Sequence, residues 1–470
     1  MTNHEFTLRV KKLLNFCQHD NKRKSTPYHR RQWGVSHLED DDTRLVRMKR
    51  EIHRLRTSPS LRLGSHLTDA IRKPWRAPFL IITLPWLMLM IGFELLGWKA
   101  QPAAFSVSNT GRLSSKGNCV VMFPTNGVGF GHFTRMLAVA KRMKLKDPSL
   151  EIIFFTTMPT LHLLKPYGIP AHHIAGPKYF KGMTSEEWNG LLEEELSVCF
   201  ETHRPSMFVF DGAFPYRGML RAIEGRHSLR KIWMRRGTFR KGSSIPVDSI
   251  QRFDTVIHPE DSVKSPEPSL EHNLEVITCP PIVMLNESDL LPRKIARSRL
   301  GLPNDANVVY VQLGAGEIND IESEVRMTLE CLLENPSVYV VLGESLIGER
   351  INIELPRLLI LRDYPNSMYF RGFDATVQAG GYNSFHETRT FGLPALFYPN
   401  MNTGMDDQLA RCKVAEEEGW GIVLEKRNRK AIEDSCSKLF DIVGKIPPTE
   451  PPNGAYILSE TLLEVISNEG

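Results

Sequence analysis

The sequence lacks the paired cysteines of a disulfide framework or a zinc site. Its seven cysteines are odd in number, widely scattered and never spaced as Cys-x-x-Cys. This pattern predicts a reducing compartment and cysteines that serve mostly as small core residues. A metal-holding Asp-x-Asp segment between strands is also missing, since Asp40–Asp42 and Asp406–Asp407 are the only runs of Asp. The sequence thus contains no metal-ligand spacing of a familiar kind.

Acidic charge is scarce at the N-terminus. Residues 1–76 contain 18 Lys and Arg against 8 Asp and Glu, a net charge of +10, whereas the rest of the chain has a net charge of −5. Such a basic region can bind nucleic acid or anionic lipid, or can simply be solvated. Because no nucleic-acid-binding signature accompanies it, we expect lipid and no nucleic acid as the partner.

The chain has one long hydrophobic run, Phe79–Trp98, in which Thr83 and Glu94 are the only polar side chains. A membrane span needs about 20 apolar residues, so the run is long enough. Pro85 lies inside the run, and Glu94 would be costly deep in lipid. The first long apolar run begins near residue 77, and nothing before it has the pattern of a signal peptide.

Residues 377–408 carry the most chemical information. They predict an apolar strand, a turn at Gly380-Gly381, and a helix that begins near Asn383 or Ser384. These two side chains are expected to cap the helix, whose free N–H groups and positive dipole end suit a phosphate. An ordinary capped helix without a ligand is the alternative.

Polar side chains continue the same segment. Glu387 lies one turn into the helix, where a carboxylate can accept hydrogen bonds from ribose hydroxyls. A Gly-Leu-Pro break at 392–394 precedes a second strand, Ala395–Tyr398, and residues 406–408 then offer further hydrogen-bonding groups. Diphosphate, ribose and sugar are the parts of a nucleotide sugar.

The order GGxxSxxE, GLPxLxxP and DDQ resembles the donor-binding half of GT-B glycosyltransferases. The group includes the N-acetylglucosaminyltransferase that makes lipid II and the UDP-glucuronosyltransferases, and the resemblance covers residues 118–425. It implies that Ser384 and the helix start meet the diphosphate. It also implies that Glu387 binds ribose, and that Asp407 and Gln408 bind the donor sugar.

A first glycine-rich turn, residues 126–132, follows the strand Asn118–Phe123 and precedes a helical pattern over Phe133–Met143. Its pattern is GxGxGH, which differs from the GxGxxG of dinucleotide-binding proteins. The next strand, Glu151–Thr157, also ends in threonines where a ribose-binding acid would be expected. We therefore do not expect a nicotinamide cofactor.

The same turn supplies a candidate catalytic base. In the GT-B resemblance Gly129 and Gly131 lie on the acceptor side, and His132 takes a proton from the acceptor hydroxyl, for which an imidazole is suited. A histidine that only orients the loop is the alternative. Asp211 ends an apolar strand, so it should lie at the ligand-binding crevice. It can orient His132, act as the base, or cap the next helix.

Two further segments are candidates for phosphate contacts. Arg235 and Arg236 begin a basic loop that can contact an acceptor phosphate or anionic headgroups, or can be solvated. A second glycine turn, with Gly314 and Gly316, precedes the helical pattern Ile321–Leu333. It should face the donor diphosphate from the opposite side of the same domain.

The predicted fold class is α/β with GT-B architecture, two facing Rossmann-like domains behind a helical, membrane-associating N-terminal region. The predicted segments are a basic region (1–76), a hydrophobic membrane-associating segment (77–98), a linker (99–116), an N-terminal acceptor domain (117–289), a C-terminal donor domain (290–426) and a C-terminal helical segment (427–470). The final helix is expected to return to the first domain, as in GT-B proteins.

The expected function is transfer of N-acetylglucosamine or a related hexose from a UDP-sugar. The acceptor would be a membrane-proximal lipid-linked glycan or a polysaccharide, as in cell-envelope biosynthesis. The resemblance implies inversion, independence of metal and no cofactor, the UDP-sugar being a substrate. A UDP-sugar 2-epimerase of the same fold and a non-catalytic donor-binding subunit are the rivals.

Residues 45–98 can contact membrane lipids in several ways, which differ in the side of the membrane on which the catalytic domain lies. With the basic N-terminus in the cytoplasm, a single span would put the donor site outside, away from a bacterial donor pool. A monotopic segment avoids this conflict and keeps the catalytic domain on the cytoplasmic side. A true span, a Golgi-type lumenal enzyme and a buried helical hairpin are the alternatives.

Overall fold

The computed structural model describes residues 58–96, 118–125, 129–180, 182–235, 247–263, 274–314, 321–344, 346, 352–402 and 406–468. Several predictions fall outside these ranges. They concern most of the basic region, the linker at 99–116, the tip of the first glycine turn at 126–128, Arg236 with the basic loop behind it, and Gly316.

The described N-terminal part is a helical hairpin. Helix α1, Pro59–Arg72, is capped by Ser58, whose hydroxyl accepts from the amide of Leu61 at 3.3 Å. A 3₁₀ turn, Pro74–Phe79, leads into helix α2, Leu80–Leu95. Helix α2 therefore occupies the predicted hydrophobic run and continues through Pro85.

The two polar side chains of the hydrophobic run bond to α1. Arg62 Nη1 donates to Glu94 Oε2 at 2.5 Å, and His66 Nε2 lies 2.9 Å from Thr83 Oγ1. Glu94 is 8% exposed. Its charge is thus compensated within the hairpin, which lowers the cost of placing it among apolar groups.

Large apolar side chains are exposed on the hairpin, beside the exposed charged residues Asp69, Arg72, Lys73 and Arg76. Among the described residues, one helical stretch, Pro74–Glu94, is long and apolar enough to cross a membrane by length and composition alone. Its exposed large apolar side chains are Trp75, Phe79, Ile81, Ile82, Trp86, Met88 and Leu89, and α1 adds Leu61, Leu67 and Ile71.

Two parallel sheets form the body of the protein. The strands of the first sheet are β1 Cys119–Pro124, β2 Glu151–Thr156, β3 Ala171–His173, β4 Met207–Asp211, β5 Arg230–Met234, β6 Thr255–Pro259 and β7 Glu275–Cys279. Their spatial order is β3-β2-β1-β4-β5-β6-β7, and every pair is parallel. All six side chains of β1 are buried, as expected for a parallel strand covered on both faces.

The second sheet repeats this winding. Its strands are β8 Asn307–Gln312, β9 Val338–Gly343, β10 Leu358–Leu361, β11 Ala375–Ala379, β12 Ala395–Tyr398 and β13 Gly421–Val423. The order is β10-β9-β8-β11-β12-β13, again all parallel. Two doubly wound sheets confirm the predicted GT-B architecture.

Helices connect and cover the strands. In the first domain they are α3 Gly131–Lys146, α4 Ser185–His203, α5 Arg217–Ile223 and α6 Val247–Ile250. In the second they are α7 Arg293–Leu300, α8 Ile321–Leu333, α9 Tyr382–Thr390, α10 Gln408–Glu417 and α11 Arg429–Asp441, followed by α12 Gly454–Asn468. Leu458, Leu462 and Ile466 of α12 pack in the same core as Met136 of α3. The predicted return of the final helix to the first domain is therefore confirmed.

Candidate active site

The winding of each sheet creates one point where a ligand can enter. In a doubly wound sheet the crevice opens at the carboxyl ends of the two central strands, where the connections diverge. His132 follows β1 and Asp211 ends β4, and these two strands are neighbours in the first sheet. Gly314 follows β8 and Gly380 follows β11, which are neighbours in the second sheet.

The switch point of the first sheet contains a cluster of three charged or titratable side chains. His132 Nδ1 lies 2.8 Å from Asp211 Oδ1. Arg135 binds both oxygens of the same carboxylate, with Nη2 2.6 Å from Oδ1 and Nε 3.0 Å from Oδ2. Arg135 lies one helical turn after His132 on α3, so both side chains point at the end of β4.

The carboxyl of Asp211 is held in its ionised form. Burial is the largest influence and favours the neutral acid, but Arg135 and His132 together outweigh it, so that the pKa of Asp211 lies below its usual value. The main chain is fixed as well, because Asp211 O accepts from the amide of Thr125 at 2.9 Å.

His132 and Asp211 differ in solvent exposure, and this difference indicates different roles. Asp211 is fully buried, whereas the His132 side chain is 16% exposed. Nδ1 of His132 faces two groups, the Asp211 carboxylate at 2.8 Å, which only accepts, and Arg135 Nη2 at 3.0 Å, which only donates. The shorter contact with Asp211 favours the tautomer with the proton on Nδ1 and the lone pair on Nε2. Of the three roles considered for Asp211, orienting the imidazole is the one that its contacts favour.

Helix α9 presents its first turn to the first domain. It begins at Tyr382, and its N-cap is Gly381 in an extended conformation without a side-chain cap. The prediction that Asn383 or Ser384 caps the helix is therefore wrong, because both lie inside its first turn. Asn383 Nδ2 instead donates to Gly131 O at 3.2 Å.

Glu387 is the other titratable group at the crevice. It is half-buried, and Ser367 Oγ donates to its Oε1 at 3.3 Å. Burial raises the pKa of Glu387 to about 7, although the Ser367 hydrogen bond acts in the opposite direction. No Lys or Arg in the described ranges forms an ion pair with this carboxyl.

The candidate glycines of the second domain, Gly314, Gly380 and Gly381, differ in backbone conformation and in the space around them. Gly314 has φ +104°, a backbone conformation that side chains disfavour, and a Cβ there would have open space around it. At Gly380 a Cβ would lie 2.5 Å from Cys412 Sγ, so close packing against α10 explains this glycine. Gly381 has open space around it, next to the start of α9.

Asp407 and Gln408 have partners within the protein. Asp407 caps α10, and its Oδ1 accepts from the amide of Ala410 at 3.0 Å. Gln408 Oε1 accepts from the amide of Asn400 at 2.9 Å. Binding of a donor sugar by these two residues stays a prediction.

Three of the acceptor-side candidates, Gly129, Gly131 and Arg235, lie within the described residues. A Cβ at Gly129 or Gly131 would meet open space, so neither glycine is required by packing. Arg235 is only 2% exposed, and its guanidinium carbon lies 5.4 Å from the ring centre of Trp233.

A buried ionic network that the sequence interpretation missed joins the two domains. Arg411 of α10 binds Asp261, with Nη2 2.6 Å from Oδ2 and Nε 2.9 Å from Oδ1. His386 of α9 lies between Asp261 and Glu450, at 3.2 and 3.0 Å. These carboxylates outweigh burial, which acts against the charged imidazole, and raise the pKa of His386.

Two tyrosines add further contacts between the domains. Tyr382 OH donates to Glu260 O at 2.9 Å, and Tyr364 OH lies 2.9 Å from Thr134 Oγ1. Together with the Asp261 network, these contacts hold the first turn of α9 against the end of the first sheet. Asp261 has a local sequence signal, because it lies just after the end of β6 at Pro259, as Asp211 lies at the end of β4.

Solved glycosyltransferase structures are similar to this chain at low sequence identity. No family model and no curated protein matches the chain. The calicheamicin glycosyltransferase CalG4 is 15% identical with a TM-score of 0.49, over 75% of this chain and 98% of CalG4. The spinosyn rhamnosyltransferase SpnG is 14% identical with a TM-score of 0.47, over 74% of this chain and 96% of SpnG.

MurG of Acinetobacter baumannii is 14% identical with a TM-score of 0.44, over 75% of this chain and 99% of MurG. Likenesses at this level carry no argument about activity. The winding of the two sheets shows the GT-B fold independently of them.

Proposed function

We propose that this chain is a glycosyltransferase that moves a sugar from a nucleotide sugar to an acceptor hydroxyl. The observation that carries the proposal is the opposition of two sites across the domain crevice. His132, held by Asp211, lies at the switch point of the first sheet, and Asn383 at the start of α9 donates to Gly131, one residue before it. The candidate base on one domain thus lies close to the start of a helix on the other, and a helix start suits an anion.

The second domain would hold the donor. The N–H groups of the first turn of α9 suit a diphosphate, and the missing side-chain cap leaves this role to a ligand. Glu387, one turn further, would accept hydrogen bonds from the ribose hydroxyls. Its pKa near 7 and its single described partner, Ser367, are properties of a carboxyl that lacks a counter-charge.

In the reaction the acceptor oxygen attacks the anomeric carbon. The bond from that carbon to the diphosphate breaks, and its electron pair leaves with the nucleoside diphosphate. The hydroxyl proton passes to Nε2 of His132, and Asp211 stabilises the imidazolium that forms. Direct displacement inverts the anomeric centre, and the helix start compensates the charge on the leaving diphosphate without a metal.

We further propose UDP as the donor nucleotide and a lipid-linked or polysaccharide acceptor at a membrane surface. The α1–α2 hairpin supports a monotopic attachment, because Glu94 and Thr83 are bonded within it while large apolar side chains and the basic residues Arg72, Lys73 and Arg76 are exposed on it. This arrangement would keep the catalytic domains on the cytoplasmic side.

Nucleotide release is the direct test of the activity. Purified full-length protein is incubated with UDP- and dTDP-linked sugars, with and without a membrane lipid extract, and free nucleotide and glycosylated product are measured. We expect UDP release that depends on the extract. A sugar nucleotide epimerised at C2 without acceptor would identify the rival epimerase, and donor binding without turnover would identify the non-catalytic rival.

Vesicle sedimentation tests the attachment. Full-length protein should pellet with vesicles that contain anionic lipid, and high salt should release only part of it, because apolar burial adds to charge attraction. A chain that begins at Gly117 is the matched control and should stay in the supernatant. Complete release by salt would mean that the Phe79–Trp98 segment does not enter lipid.

A further inference from the structure

Three metal-ligating side chains lie together in the first domain. His172 is the central residue of the edge strand β3, and Cys199 and His203 lie one turn apart at the end of α4. Their possible ligand atoms all lie within 4.8 Å of one another. His172 Nε2 and His203 Nε2 are 2.9 Å apart.

A fourth side chain orients this cluster. His203 Nδ1 lies 3.1 Å from Glu151 Oε1, at the first residue of β2. Because an ionised carboxylate only accepts, Nδ1 carries the proton, and the lone pair of Nε2 points toward His172. Histidines that ligate metals usually donate their other N–H to a carboxylate in this way.

The cluster lies away from the candidate active site. Helix α4 ends just before β4 begins, so Cys199 and His203 lie toward the amino ends of the strands. His132 and Asp211 lie at the carboxyl ends. Cys199 and His203 are buried and His172 is half-buried, which gives an ion access from the His172 side.

We propose that His172, Cys199 and His203 bind a divalent transition-metal ion of the Zn²⁺ class, with Glu151 orienting His203. Two imidazoles and a thiolate are a donor set that such ions prefer over oxygen-binding cations. Bond lengths of about 2.0–2.3 Å place the ligand atoms of a tetrahedral site within about 4 Å of one another. Small side-chain rotations therefore suffice to form it.

Binding has a defined proton balance. The thiol of Cys199 loses its proton to solvent when the sulfur bonds to the ion. His172 moves its proton from Nε2 to Nδ1, so that Nε2 can bond to the ion. Each ion bound thus releases one proton, as expected for a thiolate ligand. The ion would join β3 to the end of α4, and its effect should therefore be on stability.

The test uses detergent-solubilised full-length protein, stripped with a chelator and titrated with Co²⁺ and Zn²⁺. We expect one equivalent of Co²⁺ to give tetrahedral d–d bands with a thiolate-to-cobalt charge-transfer band. Zn²⁺ should displace Co²⁺, raise the melting temperature and release one proton per ion. A Co²⁺ spectrum without the thiolate band would overturn the proposal, because the N–H···N bond would then account for the cluster alone.

Matched variants assign the ligands. Cys199→Ser and His172→Ala should lower Zn²⁺ affinity more than the outer-shell variant Glu151→Gln, for which we expect about 10- to 100-fold. His173→Ala on the same strand and Cys331→Ser in the other domain are the controls and should leave the affinity unchanged. Equal affinity in Cys199→Ser and the wild type would refute the site. Should Cys199→Ser fail to fold, the wild-type spectrum and Glu151→Gln still decide.

Discussion

The two sides of the crevice handle buried charge in opposite ways. In the first domain, Asp211 is fully buried, but Arg135 and His132 compensate its charge and keep its pKa below the usual value. In the second domain, Glu387 is half-buried without a cationic partner among the described residues, and its pKa rises to about 7.

This difference indicates which site is complete before a ligand arrives. A carboxylate that is already paired can hold an imidazole in one tautomer from the start, as a preorganised base requires. A carboxyl without a counter-charge has unused hydrogen-bonding capacity that substrate hydroxyls can satisfy. In the proposed reaction, the site in the first domain would thus be prepared for chemistry, and the site in the second domain would be prepared to bind the donor.

The largest effect is expected on the acceptor side. His132→Ala should lower turnover by about 10²–10⁴, because a general base is lost, and should leave nucleotide binding unchanged. Turnover with lipid extract and calorimetry with UDP measure the two quantities. His162→Ala, at an exposed position of the same domain, is the control. Turnover within a few-fold of wild type would remove His132 from the mechanism and make Asp211 the leading candidate.

The donor side should show the opposite pattern. Glu387→Ala should weaken UDP binding by about 10²-fold or more, because two hydrogen bonds to a charged group are worth roughly 1.5–3 kcal/mol each. Calorimetry with UDP measures this loss. Glu417→Ala, an exposed position of the same domain, is the control. Unchanged affinity would exclude Glu387 from the nucleotide site.

The variant Asp211→Asn tests whether Asp211 acts through His132 or has a role of its own. We expect turnover to fall by about 10- to 100-fold, which corresponds to one hydrogen bond to a charged group, with donor KM unchanged. The double variant His132→Ala with Asp211→Asn should lose no more turnover than His132→Ala alone, because Asp211 acts through His132. Additive losses would mean that Asp211 has a role of its own in the reaction.

The sequence predicted the parts of the molecule that depend on local pattern. Ala395–Tyr398 and Ile321–Leu333 have the predicted bounds, because a buried parallel strand forms a continuous apolar run and the helix is amphipathic. The short strands β3 and β13 were missed, since three residues carry no periodic signal. The switch-point positions of His132 and Asp211 also followed from strand endings.

The rest depends on contacts between residues that are far apart in the chain. Asp261 and Arg411 are separated by 150 residues, and no local pattern links them. The cap of α9 was assigned wrongly because Gly381 adopts the extended N-cap conformation itself, which places Asn383 within the helix and lets it reach Gly131.

The last prediction concerns the free energy of unfolding, which the ionised Glu387 carboxylate lowers. Its pKa rises from the usual 4.5 to about 7, so the folded state holds this proton more tightly and loses stability as pH rises through that interval. Glu387→Gln should therefore be relatively more stable above pH 7 than below pH 4.5, by at most roughly 3 kcal/mol. Denaturant unfolding of both proteins across this range measures the difference. Parallel stability curves would show that Glu387 is as well solvated in the folded chain as in the unfolded one.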